Sequence, residues 1–168
     1  IVTAIVLMIF GVIGSLLVGV IYEATAEQVA ENQRRAMLAN LSQLLPAERY
    51  DNDLIESQIM LPADERLGQK VASPAYIARL HDEVTAVIFS VIAPDGYSGA
   101  IKLLVCVNAD GTLNGVRVVQ HKETPGLGDV IETARSKWIY SFDGKSLENP
   151  DAKGWKVKRD GGDFDQFT

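Results

Sequence analysis

Hydrophobic and polar positions divide the chain into stretches of different period. From Ile1 to Tyr22 no charged residue interrupts the Ile, Val, Leu, Met and Phe, and the first charge is Glu23. Apolar side chains fall on every side of a helix built from this run. At 1.5 Å per residue it spans ~33 Å, enough to cross a hydrocarbon core of ~30 Å. The run predicts a transmembrane helix over 1–22. A signal peptide is the competing reading, but its apolar core of ~7–15 residues is shorter and ends at a cleavage site, whereas this run passes straight into helix-forming sequence.

Glu23 to Leu45 holds neither Gly nor Pro and is rich in Ala, Glu, Gln, Leu and Arg, a composition that favours helix. Met37, Leu38, Leu41, Leu44 and Leu45 recur at helical spacing, predicting a juxtamembrane amphipathic helix over 23–45 that lays one face on the following domain and ends at Pro46. The remainder, 46–168, is one domain. Ala47 to Ser73 has no sustained period and predicts a loop with one brief strand. Ala75–Leu80, Thr85–Ala93, Ala100–Val107 and Leu113–Gln120 are short runs rich in Val, Ile, Tyr, Phe and Leu, separated by turn residues; they predict a largely antiparallel sheet. Ile101, Leu103, Val105 and Val107 share one face of their strand, yet Leu104 and Cys106 make the other apolar as well, so both faces need cover. A flanking helix is expected after Gly128, where Asp129 and Glu132 have capping-box spacing and Ile131, Ala134 and Trp138 share a face. Trp155–Lys158 reads as a final strand. The fold class is α+β, one membrane helix followed by a globular domain with a sheet and flanking helices.

Charge narrows the function. The net charge is −6 and no basic stripe is present, which argues against nucleic acid as a partner. Glu23, Glu27 and Glu31 precede Arg34 and Arg35, so the flank lacks the excess of Lys and Arg that retains a segment in the cytoplasm; an exported domain is expected. The single cysteine, Cys106, lies in an apolar run and reads as a small core residue.

Three loops mix glycine with hydroxyls, acids and an apolar side chain: Pro94–Gly99, His121–Gly128 and Asp160–Thr168. Gly126-Leu127-Gly128 before a helix could set backbone N–H groups around an anion, although the third glycine of a dinucleotide fingerprint is missing. Asp160, Asp163 and Asp165 could meet a hard cation, but not in calcium-loop order; an acidic surface turn is the alternative. His81 and His121 have no ligand set of metal spacing around them and read as surface or packing residues. Ser98 misses the Gly-x-Ser-x-Gly elbow by one position, which disfavours a hydrolase.

Taken together, Ala93–Ile101, Glu123–Asp129 and Asp160–Thr168, with Leu45–Tyr50, resemble the G subunits of the Rnf (Rsx) electron-transport complexes. These belong to the wider FMN-binding family, which includes the C subunit of the sodium-pumping NADH:quinone reductase. The resemblance implies FMN bonded by a phosphoester to a Thr in the pattern Asp-x-x-Ser/Thr-Gly-Ala-Thr. Asp165 and Thr168 fill its first and fourth positions, which puts the acceptor Thr three residues beyond Thr168. It also implies that Glu123, Thr124 and Leu127 border the ring, with Gly126 and Gly128 in the same loop and Tyr97, Ser98 and Gly99 nearby. Within that set Thr124 and Ser98 are expected to donate hydrogen bonds and Leu127 to pack. Simple electron relay requires no general acid or base, and no metal is implied.

By the same resemblance the chain is an electron-carrier subunit of a bacterial inner-membrane complex that links ferredoxin and NAD to ion movement. Its partners would carry iron-sulfur clusters and flavins, and its globular domain would be periplasmic. A membrane-anchored assembly or interaction subunit without a redox cofactor fits the composition equally.

Overall fold

The computed structural model describes residues 1–165; Thr168 lies outside the described residues. One continuous helix, α1, runs Val2–Ser42. Its uncharged portion is long and apolar enough to cross a membrane. The helix continues through the Ala-, Glu- and Gln-rich stretch because nothing in it breaks a helix, and it stops short of Pro46, whose ring disfavours helical backbone at the residue before it. The chain divides into two compact units, Ile1–Ala39 and Asn40–Thr168.

The second unit is built on a five-stranded antiparallel sheet in simple meander order. Its strands are β1 (Gln58–Leu61), β2 (Ser73–Leu80), β3 (Glu83–Ala93), β4 (Ile101–Asn108) and β5 (Leu113–Gln120). The four long runs read from the sequence are β2 to β5, and the brief strand is β1. His81 and Asp82 both have positive φ, 52° and 67°, the backbone of a two-residue hairpin turn. His81 is therefore a turn residue.

Register sorts the side chains between the two faces. Tyr76 pairs with Ile88, Ile88 with Cys106 and Cys106 with Gly115, and the first three of these residues are buried. Leu44 reaches this face at Gly115, where a Cβ would lie 3.2 Å from Leu44 Cδ2. The Asn114 amide donates to the Leu44 carbonyl, and Arg117 Nη2 donates to the Gln43 carbonyl at 3.1 Å, so β5 satisfies acceptors that the end of a helix leaves open. The opposite face carries the pairs Val87–Val107, Phe89–Val105 and Val91–Leu103. Toward β5 it borders an apolar cavity of 330 Å³ whose lining includes Trp138, Ile139, Phe142 and Trp155.

Two expected elements take other forms. In place of a helix after Gly128 the chain makes two 3-10 turns, Gly128–Ile131 and Trp138–Phe142. The Ser136 hydroxyl donates to the Val130 carbonyl at 2.6 Å and accepts the Trp138 N–H at 3.1 Å, local bonds that compete with an α-helical ladder. Among the described residues the sheet is thus flanked by 3-10 turns and loops rather than by the expected helix. The expected strand at Trp155–Lys158 is reduced to one parallel bridge between Val157 and Phe164, followed by the 3-10 turn Lys158–Asp160. Gly162 folds back so closely that a Cβ there would sit 2.1 Å from the Lys156 carbonyl oxygen. Phe164 is buried, with its ring centroid 4.7 Å from Phe142 and 5.2 Å from Trp155.

Candidate functional site

The β3–β4 connection and the segment after β5 come together around one carboxylate. Glu123 is buried, and its Oε1 accepts the backbone N–H of Ser98 at 3.1 Å. Glycine is required on both sides of it. A Cβ at Gly96 would lie 2.9 Å from Glu123 Oε1, and one at Gly128 would lie 2.7 Å from Glu123 Cβ and 2.9 Å from Oε2.

The Glu123–Gly128 loop closes on itself. The Thr124 carbonyl accepts both the Leu127 and Gly128 N–H groups, at 3.1 and 3.0 Å, and Gly126 provides the positive φ of 79° that the turn requires. Asp129, expected as a helix cap, instead reaches back: its buried carboxylate accepts the Gly126 N–H at 2.8 Å and pairs with Arg135 Nε at 3.1 Å. Behind the loop, His121 Nδ1 accepts the Glu123 N–H at 3.0 Å while Nε2 lies 2.7 Å from Glu132 Oε1.

These loops border a hollow of 410 Å³ lined by Tyr97, Ile101, Glu123, Thr124, Leu127, Gly128 and Ile131. Its chemistry is mixed, with an apolar bed of Ile101, Ile131 and Leu127 and a polar edge of Thr124 and Glu123. Tyr97 and Leu127 project outward, 97% and 71% exposed. Of the sequence-predicted residues, Tyr97, Glu123, Thr124, Leu127 and Gly128 line the hollow. Ser98, Gly99 and Gly126 build the loops behind it; the Gly99 N–H donates to the Gly96 carbonyl at 3.2 Å with φ of 125°.

Asp165 is not part of the lining. Its carboxylate pairs with Lys158 Nζ at 2.6 Å, and its carbonyl accepts the Trp138 indole N–H at 2.8 Å. Trp138 lines the neighbouring apolar cavity, which shares Ile101 and Ile131 with the hollow. Among the described residues no group of acids, histidines and cysteine converges as a metal site. Burial pushes the Cys106 thiol up to about 12, which makes it inert.

Known proteins share this arrangement of sequence. The FMN-binding domain family matches residues 96–168, beginning at the glycine against Glu123 and containing all the residues that line the hollow. The RnfG N-terminal region family matches residues 1–44. The G subunit of the ion-translocating oxidoreductase complex of Pseudomonas aeruginosa is 53% identical over 165 residues, covering 98% of this chain and 77% of that protein. The chain belongs to the family of G subunits of ion-translocating oxidoreductase complexes. The G subunits of Aliivibrio fischeri and Vibrio atlanticus are 42% and 45% identical, over 99% and 97% of this chain and 79% and 78% of theirs.

Within this family member, sequence reasoning misses the residues that hold the site rather than line it. By local pattern Gly96 is only turn chemistry, Asp129 a helix cap and His121 a packing residue. The spacing of His121 two positions before Glu123 and eleven before Glu132 is the available signal. Neither separation matches a helical or metal-ligand period.

Proposed function

We propose that this chain relays electrons within a membrane ion-translocating oxidoreductase through FMN seated at the Tyr97–Leu127 hollow. The observation that carries the reading is the position of that hollow inside the FMN-binding match, with five of the expected binding residues on its wall. Its residues fit the group. The volume lies in the ~300–1,000 Å³ range of cofactor pockets, and the bed is apolar.

When bound, FMN supplies the redox chemistry by accepting and releasing electrons. The residues of the chain orient and tune it. Ile101, Ile131 and Leu127 exclude water from one side, while the Thr124 hydroxyl on the wall offers a donor. Glu123 holds the two loops together and places a negative charge near the ring, which makes adding electrons harder. Asp165 and Thr168 begin the attachment motif, whose acceptor Thr lies three residues beyond Thr168. A phosphoester tether keeps the cofactor on an exported domain. The uncharged run 1–22 anchors the chain in the inner membrane, with the domain on the periplasmic side. The partners are the other subunits of the complex, carrying iron-sulfur clusters and flavins and linking ferredoxin and NAD to ion movement.

The test uses full-length protein made together with its flavin transferase and run on a denaturing gel under ultraviolet light. A fluorescent band with an FMN mass increment is expected, lost when the acceptor Thr is replaced by Ala. A non-fluorescent chain of unmodified mass would refute the carrier reading. Protease added to intact spheroplasts should digest the globular domain; protection there would overturn its periplasmic placement.

A further inference from the structure

The two ring nitrogens of His121 join three parts of the site. Nδ1 accepts the Glu123 N–H, so it carries no proton. The proton therefore resides on Nε2 and is donated to Glu132 Oε1, 2.7 Å away. His121 directly follows β5, and Glu132 directly follows the 3-10 turn Gly128–Ile131. The pair therefore closes the neck of the segment that contains the whole Glu123–Gly128 loop. The imidazole is mostly buried, with 13% of its side-chain surface exposed. On the side away from the Glu123–Gly128 loop, His121 and Glu132 line a separate surface hollow with Arg117 and with Asn40, Gln43 and Thr133, which carry no charge.

We propose that His121, as the neutral Nε2–H tautomer, is the positioning residue of the flavin loop: it fixes the Glu123 backbone, and Glu132 fixes the ring. This inference rests on the reading of the hollow as the FMN site. Glu123 is the residue that spans to Ser98 and packs on Gly96 and Gly128. A shift of its backbone therefore moves its carboxylate relative to the hollow. The second ring proton of an imidazolium would point Nδ1–H at the Glu123 N–H, donor against donor, so only the neutral ring makes this contact. The role of Glu132 is to select that tautomer.

Two substitutions separate the two bonds. His121→Asn keeps an acceptor at the δ position and drops the donor to Glu132. His121→Gln keeps a donor at the ε position and drops the acceptor. Three measurements decide: ¹⁵N shifts of the His121 ring, amide hydrogen exchange at Glu123 in FMN-free protein, and the flavin midpoint potential with visible circular dichroism in loaded protein. One protonated and one unprotonated ring nitrogen are expected in the parent protein; two protonated nitrogens would overturn the proposal. Exchange at Glu123 should be roughly tenfold faster in His121→Gln, with β3 and β4 amides unchanged, and close to the parent in His121→Asn. The potential and dichroism should follow the same order. Unchanged exchange in His121→Gln, or equal acceleration in both variants, would also overturn it. Faster exchange in His121→Gln without a change in potential would overturn its bearing on the flavin while leaving the FMN reading intact. Loss of the fluorescent band in the parent protein would instead remove the FMN reading, and with it the flavin role of His121.

Discussion

The backbone N–H of Ser98 donates to Oε1 of Glu123 at 3.1 Å, joining two loops 25 residues apart in the chain. Neither loop belongs to a strand, so this bond and the glycine contacts beside it determine how the hollow is shaped. The carboxylate serves both as structure and as charge, and the two can be separated.

Glu123→Gln keeps the acceptor and the shape but removes the charge. Stability should change by less than about 1 kcal/mol, while the flavin midpoint potential rises by on the order of tens of millivolts. Glu123→Ala removes the acceptor as well and should cost ~1.5–3 kcal/mol in urea denaturation. An unchanged or lowered potential for Glu123→Gln would show that the carboxylate's charge does not oppose reduction of the ring.

Gly126 and Gly128 stand two residues apart but serve different needs. A Cβ at Gly126 meets open space and suffers only from its φ of 79°; Gly126→Ala should cost ~1–2 kcal/mol. Gly128→Ala forces Glu123 aside. It should cost a similar amount or more and also disturb the visible dichroism of bound FMN, which Gly126→Ala should leave closer to the parent. Equal dichroism in both would argue against the crowding at Glu123.

Phe164 anchors the acidic terminal loop in the aromatic cluster. Phe164→Ala should destabilise the domain by ~3–5 kcal/mol. Trp138→Phe keeps an aromatic ring but loses the indole bond to the Asp165 carbonyl, with an expected cost of ~1 kcal/mol. Thermal unfolding of the two variants should rank them in that order.

Asp143 supplies a pH test. Burial of its carboxyl raises its pKa, with Arg117 opposing the shift. The folded state therefore holds the proton more tightly than the unfolded one, and stability attributable to this group falls as pH rises from ~3.9 through the raised value. Asp143→Asn removes that slope. The melting temperature of the variant relative to the parent should increase across this window and level off above it; a parallel pair of curves would contradict the assignment.

The uncharged run before Glu23 and the Val-, Ile- and Phe-rich runs of β2 to β5 are legible in the chain, because local composition and the turn residues between the runs carry them. The three glycine-bearing loops are visible too, and five residues named from them line the hollow. What is not legible depends on bonds between positions distant in sequence or of no regular period. Asp129 and Glu132 have capping-box spacing, yet Asp129 bonds backward to Gly126 and Glu132 bonds to His121. Trp155–Lys158 alternates like a strand, but Gly162 brings the chain back onto it after one bridge.

The contacts around Glu123 also limit how this sequence can diverge. A Cβ at Gly128 would meet Glu123 Cβ at 2.7 Å and one at Gly96 the Gly99 carbonyl oxygen at 2.3 Å, so both positions stay glycine even where the residue at 123 is shorter. A shorter residue at 123 in turn releases Ser98. The two glycines are therefore expected to be kept, with position 123 limited to a side chain that reaches Ser98, while the neighbouring exposed Lys122 and Pro125 vary freely.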